Sequence, residues 1–192
     1  MTKSPDSGSR DSVASHPIVA LAGFMGSGKT STGEALANLL GWDFVDLDAE
    51  IEAREGMSVR LFFQQKGETA FREAEYEALC KCLLDRKRAT VIALGGGAFV
   101  QANNVALLRE AGALTVFLDA PVDEMLERCG VEDAADPANL RPLAANTSQF
   151  RALYEARLPH YRTTHVTIQT SGKSVVEVAK DIAASLELQK CP

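Results

Sequence analysis

The chain has 192 residues, 46% of them hydrophobic and 24% charged, and a formal net charge of -6 at pH 7. That length suits one α/β domain with a substantial core, and the acidic balance argues against a general nucleic-acid binder. No apolar run reaches the roughly 20 residues that a membrane-spanning helix needs. An anionic substrate would have to be held by locally clustered cations, because the overall field repels it.

Residues 1–16 are rich in Ser, Asp and Gly and lack the apolar segment of a secretory signal, so they read as a disordered leader to a single domain over 17–192. Ile18 to Ala22 is a short apolar run suited to a buried parallel strand. It runs into Gly23-Phe24-Met25-Gly26-Ser27-Gly28-Lys29-Thr30, and Thr32 to Leu40 then carries helical apolar spacing up to Gly41. Asp43 to Leu47 predicts a second strand, and residues 48–85 are helical in pattern with breaks at Gly56 and Gly67. Thr90 to Leu94 is a third strand ending at Gly95-Gly96-Gly97. A helix through Val105–Leu108 follows and ends near Gly112; Leu114 to Leu118 is a fourth strand, and Pro121 opens the next helix. Residues 130–147 are acidic and proline-containing without apolar periodicity, the mark of a long functional or disordered loop. A helix over Gln149–Tyr161, a strand over His165–Ile168 and a closing helix over Val175–Leu188 complete the chain. Strands alternating with helices predict a parallel sheet covered on both faces.

The glycine-rich turn between strand and helix is a complete phosphate-binding loop. Its glycines let backbone N–H groups close around phosphate oxygens, and the helix N-terminus adds partial positive charge. Gly26, Ser27, Gly28 and Ser31 are its cradle; Lys29 can reach the β- and γ-phosphates, and the Thr30 hydroxyl can ligate Mg²⁺. The motif implies a nucleoside triphosphate as ligand. Asp46 and Asp48 stand two apart at the carboxyl end of the second strand, where alternation would put both on one face toward the loop. One can serve the metal's shell while the other accepts a substrate hydroxyl's proton. The competing reading makes Asp48 a helix N-cap. Three glycines at 95–97 suggest close backbone approach to a ligand, against a flexible strand exit. Arg72 lies among acids and on periodicity alone reads as an exposed ion pair with Glu68 or Glu75; Arg141 and Arg157 alone read as solvated charges. Cys80, Cys82, Cys129 and Cys191 show neither paired spacing nor neighbouring histidines, and read as reduced thiols of a cytosolic protein.

As a whole the sequence resembles the shikimate kinase family from about residue 17 to 188. The resemblance rests on Gly23 to Thr30, Phe44-Val45-Asp46-Leu47-Asp48, Gly67 through Phe71-Arg72, Leu94 to Ala98, Arg141-Pro142-Leu143 and Tyr154 through Arg157. It implies a three-layer α/β/α P-loop kinase fold with a five-stranded parallel sheet, a helical substrate-binding region at about 48–85 and a mobile lid at about 130–147. It also implies a cytoplasmic monomer that transfers phosphate from ATP, with Mg²⁺, to the 3-hydroxyl of shikimate. Lys29 would then contact the transferred phosphate, Thr30 hold Mg²⁺, and Asp46 order the metal's waters. Asp48 would be the base. Arg72, Arg157 and Gly95-Gly96-Gly97 would hold shikimate, with Glu75 orienting Arg72 or a hydroxyl. Arg141 would close over the phosphates and Arg128 pack on adenine. Phe63 and Phe71 become walls of the substrate site, or ordinary helix packing. The chain departs from the family in its acidic lid, Gly130 to Asn139, and in Thr170-Ser171-Gly172-Lys173, which lacks a proline that often packs the base. A related sugar kinase such as a gluconate kinase would share the P-loop without needing Arg72 and Arg157 facing the triple glycine. A non-catalytic relative would be expected to have lost Lys29, Asp48 or a clamp arginine.

Overall fold

A computed structural model describes residues 17–130 and 146–188. The expected leader over 1–16 and most of the expected lid, Arg141 included, lie outside the described residues.

Five parallel strands form one sheet in the order β2-β3-β1-β4-β5: β1 (Ile18–Ala22), β2 (Asp43–Asp46), β3 (Thr90–Ala93), β4 (Leu114–Asp119) and β5 (Val166–Gln169). In the register Ala20 stands opposite Ile92 on one side and Thr115 on the other, so the carboxyl ends of the central strands meet at one edge. Every residue of β1 is buried, as expected of a parallel strand covered on both faces. One face carries Val19, Leu21, Val91, Val116 and Leu118, packed under Leu36 of α1 (Lys29–Leu40) and Val178 and Ile182 of α7 (Val175–Leu188). The other face carries Ala20, Ile92 and Phe117. Over it lie α2 (Leu47–Glu55), α3 (Val59–Asp85), α4 (Ala102–Glu110), α5 (Val122–Cys129) and α6 (Thr147–Tyr161). None of the described helices is long and apolar enough to cross a membrane.

The elements fall close to where periodicity puts them, with one instructive difference. The second strand stops at Asp46, and Leu47 and Asp48 already belong to α2. The Asp46 carboxylate caps that helix, accepting the N–H groups of Asp48 at 3.0 Å and Ala49 at 3.2 Å. The expectation that strand alternation places Asp46 and Asp48 on one face is therefore corrected. Both carboxylates reach the sheet edge because one is an N-cap and the other sits in the first helical turn, and the cap is Asp46 rather than Asp48. The expected interruption at Gly67 is real: at φ 81° and ψ 176° it breaks α3 into two segments, a conformation open to glycine and strained for other residues.

Candidate active site

The P-loop joins β1 to α1 beside a cavity of about 280 Å³ that Lys29, Thr30, Ser31, Asp46, Asp48 and Arg128 help to line. Lys29 donates from Nζ to the Phe24 carbonyl at 2.8 Å, and the Thr30 hydroxyl donates to Asp46 Oδ2 at 2.6 Å. Gly26 and Gly28 lie on the cavity wall and Ser27 is buried. Arg128, in the last turn of α5, donates to the Gly26 carbonyl at 3.1 Å and pairs with Glu124 at 2.6 Å. Glu124 also accepts from Ser171, so α5 is tied to the turn after β5.

A second cavity, of about 370 Å³, adjoins the first, and Met25, Asp46 and Asp48 line both. Asp48, Phe63, Phe71, Arg72, Glu75 and Arg157 converge on it. Arg72 projects from α3 after the Gly67 break. Its Nη1 bonds both oxygens of Glu75, at 3.1 and 2.9 Å, and its Nη2 pairs with Glu68 at 3.2 Å. The acid pairing expected from helical spacing is thus present, and it serves to aim the guanidinium rather than to solvate it. Arg72 Nε is buried with no hydrogen-bond partner among the described residues, an orphan donor that a bound acceptor would satisfy. The guanidinium also lies 5.4 Å from the Phe71 ring and 5.9 Å from the Phe63 ring. Those rings contact each other at 4.4 Å between centroids, so each belongs to the helix packing and to the cavity wall at once.

Glu75 is 1% exposed. Burial pushes its carboxyl above the usual range; Arg72 opposes that shift and the nearby Asp48 charge adds to it. Arg157, on α6, is 8% exposed and donates to the Gly96 carbonyl at 3.2 Å. Gly96 and Gly97 line the cavity, and Gly95 lies behind it. The close approach expected at these glycines is made first of all to protein side chains. A Cβ on Gly95 would stand 2.6 Å from Asp48 Oδ1 and 3.1 Å from Glu75 Oε1, and one on Gly97 would stand 2.5 Å from Arg72 Nη2.

Some participants escaped the sequence reading. Tyr161 is fully buried, donates its hydroxyl to the same Gly96 carbonyl as Arg157, and stacks on Phe117. Burial pushes its hydroxyl up to about 12 against the pull of Arg157, so it remains a neutral donor. Its spacing of four from Arg157 places both on one face of α6, a signal that was available. Tyr154 donates to Asp119 at 3.2 Å and anchors α6 to the end of β4. Glu52 and Arg60 also line the second cavity, and the Glu52 carboxylate accepts the Val59 N–H at 2.8 Å, joining α2 to α3 across the Gly56 corner.

The Thr30 hydroxyl and Asp46 carboxylate are hard oxygen donors in contact at the edge of the phosphate cavity. They fit an ion that takes few protein ligands and keeps its waters, as Mg²⁺ does. No cluster of three or more His, Cys, Asp or Glu that could hold a metal occurs among the described residues.

A parallel sheet in this order, with a phosphate loop opening beside a cavity that carries the guanidiniums of Arg60, Arg72 and Arg157 among several carboxylates, defines a P-loop kinase acting on a small acceptor. The family model for shikimate kinase matches residues 25–187. The shikimate kinase of Moorella thermoacetica is 40% identical over 171 residues, covering 88% of this chain and 94% of that protein. Among solved structures, the shikimate kinase of Acinetobacter baumannii in complex with shikimate superposes with a TM-score of 0.82 at 35% identity, covering 92% of this chain and 96% of that one. The Aquifex aeolicus enzyme superposes at 0.77 with 32% identity, covering 91% and 98%. The chain belongs to the shikimate kinase family.

Proposed function

We propose that the two adjoining cavities divide between them the transfer of a phosphoryl group from ATP to the 3-hydroxyl of shikimate. The observation that carries this reading is their shared wall: Asp46 and Asp48 line both the phosphate cavity and the cavity holding Arg72 and Arg157.

In the donor cavity Lys29 and the loop's backbone N–H groups bind the β- and γ-phosphates, and Arg128 supports the nucleotide's base. Thr30 and Asp46 would hold Mg²⁺, which when bound would supply charge neutralisation at the phosphates. In the acceptor cavity Arg72 and Arg157 clamp the carboxylate. Their planar forks match its geometry and keep their charge when buried, which an ammonium does less well. Glu75 holds Arg72 in place, Gly96 and Tyr161 hold Arg157, and Phe63 and Phe71 wall the ring. With the carboxylate fixed at one end, the reacting hydroxyl lies at the other end by Asp48. Asp48 accepts its hydrogen bond and proton as the oxygen attacks the γ-phosphorus in line. Only the family resemblance assigns Arg141 to the phosphates, since it lies outside the described residues. The reading extends to a monomer in the cytoplasm, where thiols stay reduced; Cys80, Cys82 and Cys129 form no disulfide.

A coupled ADP-release assay with shikimate, gluconate and quinate tests the acceptor. Shikimate is expected to support turnover far above the other two; equal or greater turnover with gluconate would overturn the assignment.

A further inference from the structure

The two sites share more than a wall. Phe24 is fully buried and lines neither cavity, yet it touches the working cation of each. Its carbonyl accepts the Lys29 ammonium at 2.8 Å. Its ring lies under the Arg157 guanidinium, 5.6 Å from centroid to Cζ, within the range of a cation–π contact. The ring is also held edge-on by Phe150 at 4.9 Å and by Tyr154 at 5.6 Å, both on α6 with Arg157.

We infer that Phe24 is a positioning residue that couples nucleotide binding to shikimate binding, an inference that rests on Arg157 being part of the carboxylate clamp. A phosphate arriving at Lys29 competes with the Phe24 carbonyl for the ammonium. The peptide that loses this donor belongs to the residue whose ring is wedged among two aromatic rings and a guanidinium. In a close-packed interior such a ring does not shift alone; its movement is passed to α6 and hence to Arg157. The route also runs in reverse. A carboxylate that draws Arg157 toward the cavity changes the seat of the Phe24 ring, and with it the carbonyl that restrains Lys29. By thermodynamic linkage the two directions carry the same coupling factor.

The test is a titration of shikimate into the full chain with and without a saturating non-hydrolysable ATP analogue and Mg²⁺. The wild-type ratio of dissociation constants is expected to depart from one by about fivefold or more. Phe24→Leu removes the aromatic face and should bring the ratio to within about twofold of one, while shikimate affinity without nucleotide changes less than the ratio does. Phe24→Met, which is unbranched and fills irregular space, should behave in the same way and serves if the leucine variant does not fold. Leu108→Val, a loss of buried carbon on α4 away from both cations, should keep the wild-type ratio. A wild-type ratio of one, or a wild-type ratio retained in the folded Phe24 variants, overturns the inference. The clamp reading fails on a different measurement, an Arg157→Ala protein whose shikimate affinity is unchanged under both conditions.

Discussion

The proposed donor and acceptor sites are built in opposite ways. The donor site is local: residues 23–31 supply most of it, and the working groups are backbone N–H groups, one ammonium and one hydroxyl on a strand–turn–helix unit. The acceptor site is assembled from afar. Asp48 comes from α2, Arg72 and Glu75 from α3, the glycines from the end of β3, and Arg157 from α6. A loop of main-chain donors can bind any polyphosphate, whereas only side chains fixed by other side chains can measure the distance from a carboxylate to a hydroxyl. Generality therefore sits in one contiguous motif, and specificity sits in tertiary structure.

Changes to the acceptor site should break the reaction while sparing the nucleotide. Asp48→Asn is expected to fold and bind ATP yet phosphorylate shikimate about 10²- to 10⁴-fold more slowly. Steady-state kinetics paired with ATP titration checks this, and near-normal turnover would remove Asp48 as the base. Gly95→Ala adds a methyl where only 2.6 Å separates it from Asp48 Oδ1. Displacing that carboxylate should lower kcat by up to about a hundredfold, with KM for ATP little altered; an unchanged kcat would show that Asp48 has room to yield. The smallest effect is on stability. Burial raises the folded-state value of Glu75 above its ordinary 4.5, so the folded protein holds that proton longer than the unfolded chain. The contribution is fully present below the ordinary value and is lost as pH rises through the raised one. Thermal midpoints of wild type should therefore fall relative to Glu75→Gln across that window, and parallel profiles would show that Arg72 compensates the burial in full.

The same contrast explains what could be read from the chain alone. Strand and helix positions were legible because buried parallel strands and amphipathic helices leave their periods in the sequence, and the P-loop because its chemistry is contiguous. Asp46 and Asp48 do line the cavities at the sheet edge, as their position suggested, but for a different local reason: a side-chain cap that ends the strand at Asp46 is invisible to an alternation argument. Arg72 looked like a surface ion pair because the helical spacing to Glu68 and Glu75 is real; only tertiary burial of Glu75 turns that pair into a support for a cavity-facing guanidinium. The triple glycine suggested a backbone open to a ligand, and a side chain at Gly95 or Gly97 would run into Asp48, Glu75 or Arg72. Arg157 and Tyr161 meet Gly96 across more than sixty residues of chain, which no local pattern records. Only the resemblance to a family brought Arg157 forward.

The central claim is that Arg72 and Arg157 recognise the carboxylate of shikimate. Its most direct test compares shikimate with its uncharged methyl ester in wild type and in Arg157→Ala. Wild type should prefer the acid in kcat/KM on the order of a hundredfold or more, as expected for a buried charge pair, and the variant should lose most of that preference. Equal discrimination by both proteins would contradict the clamp.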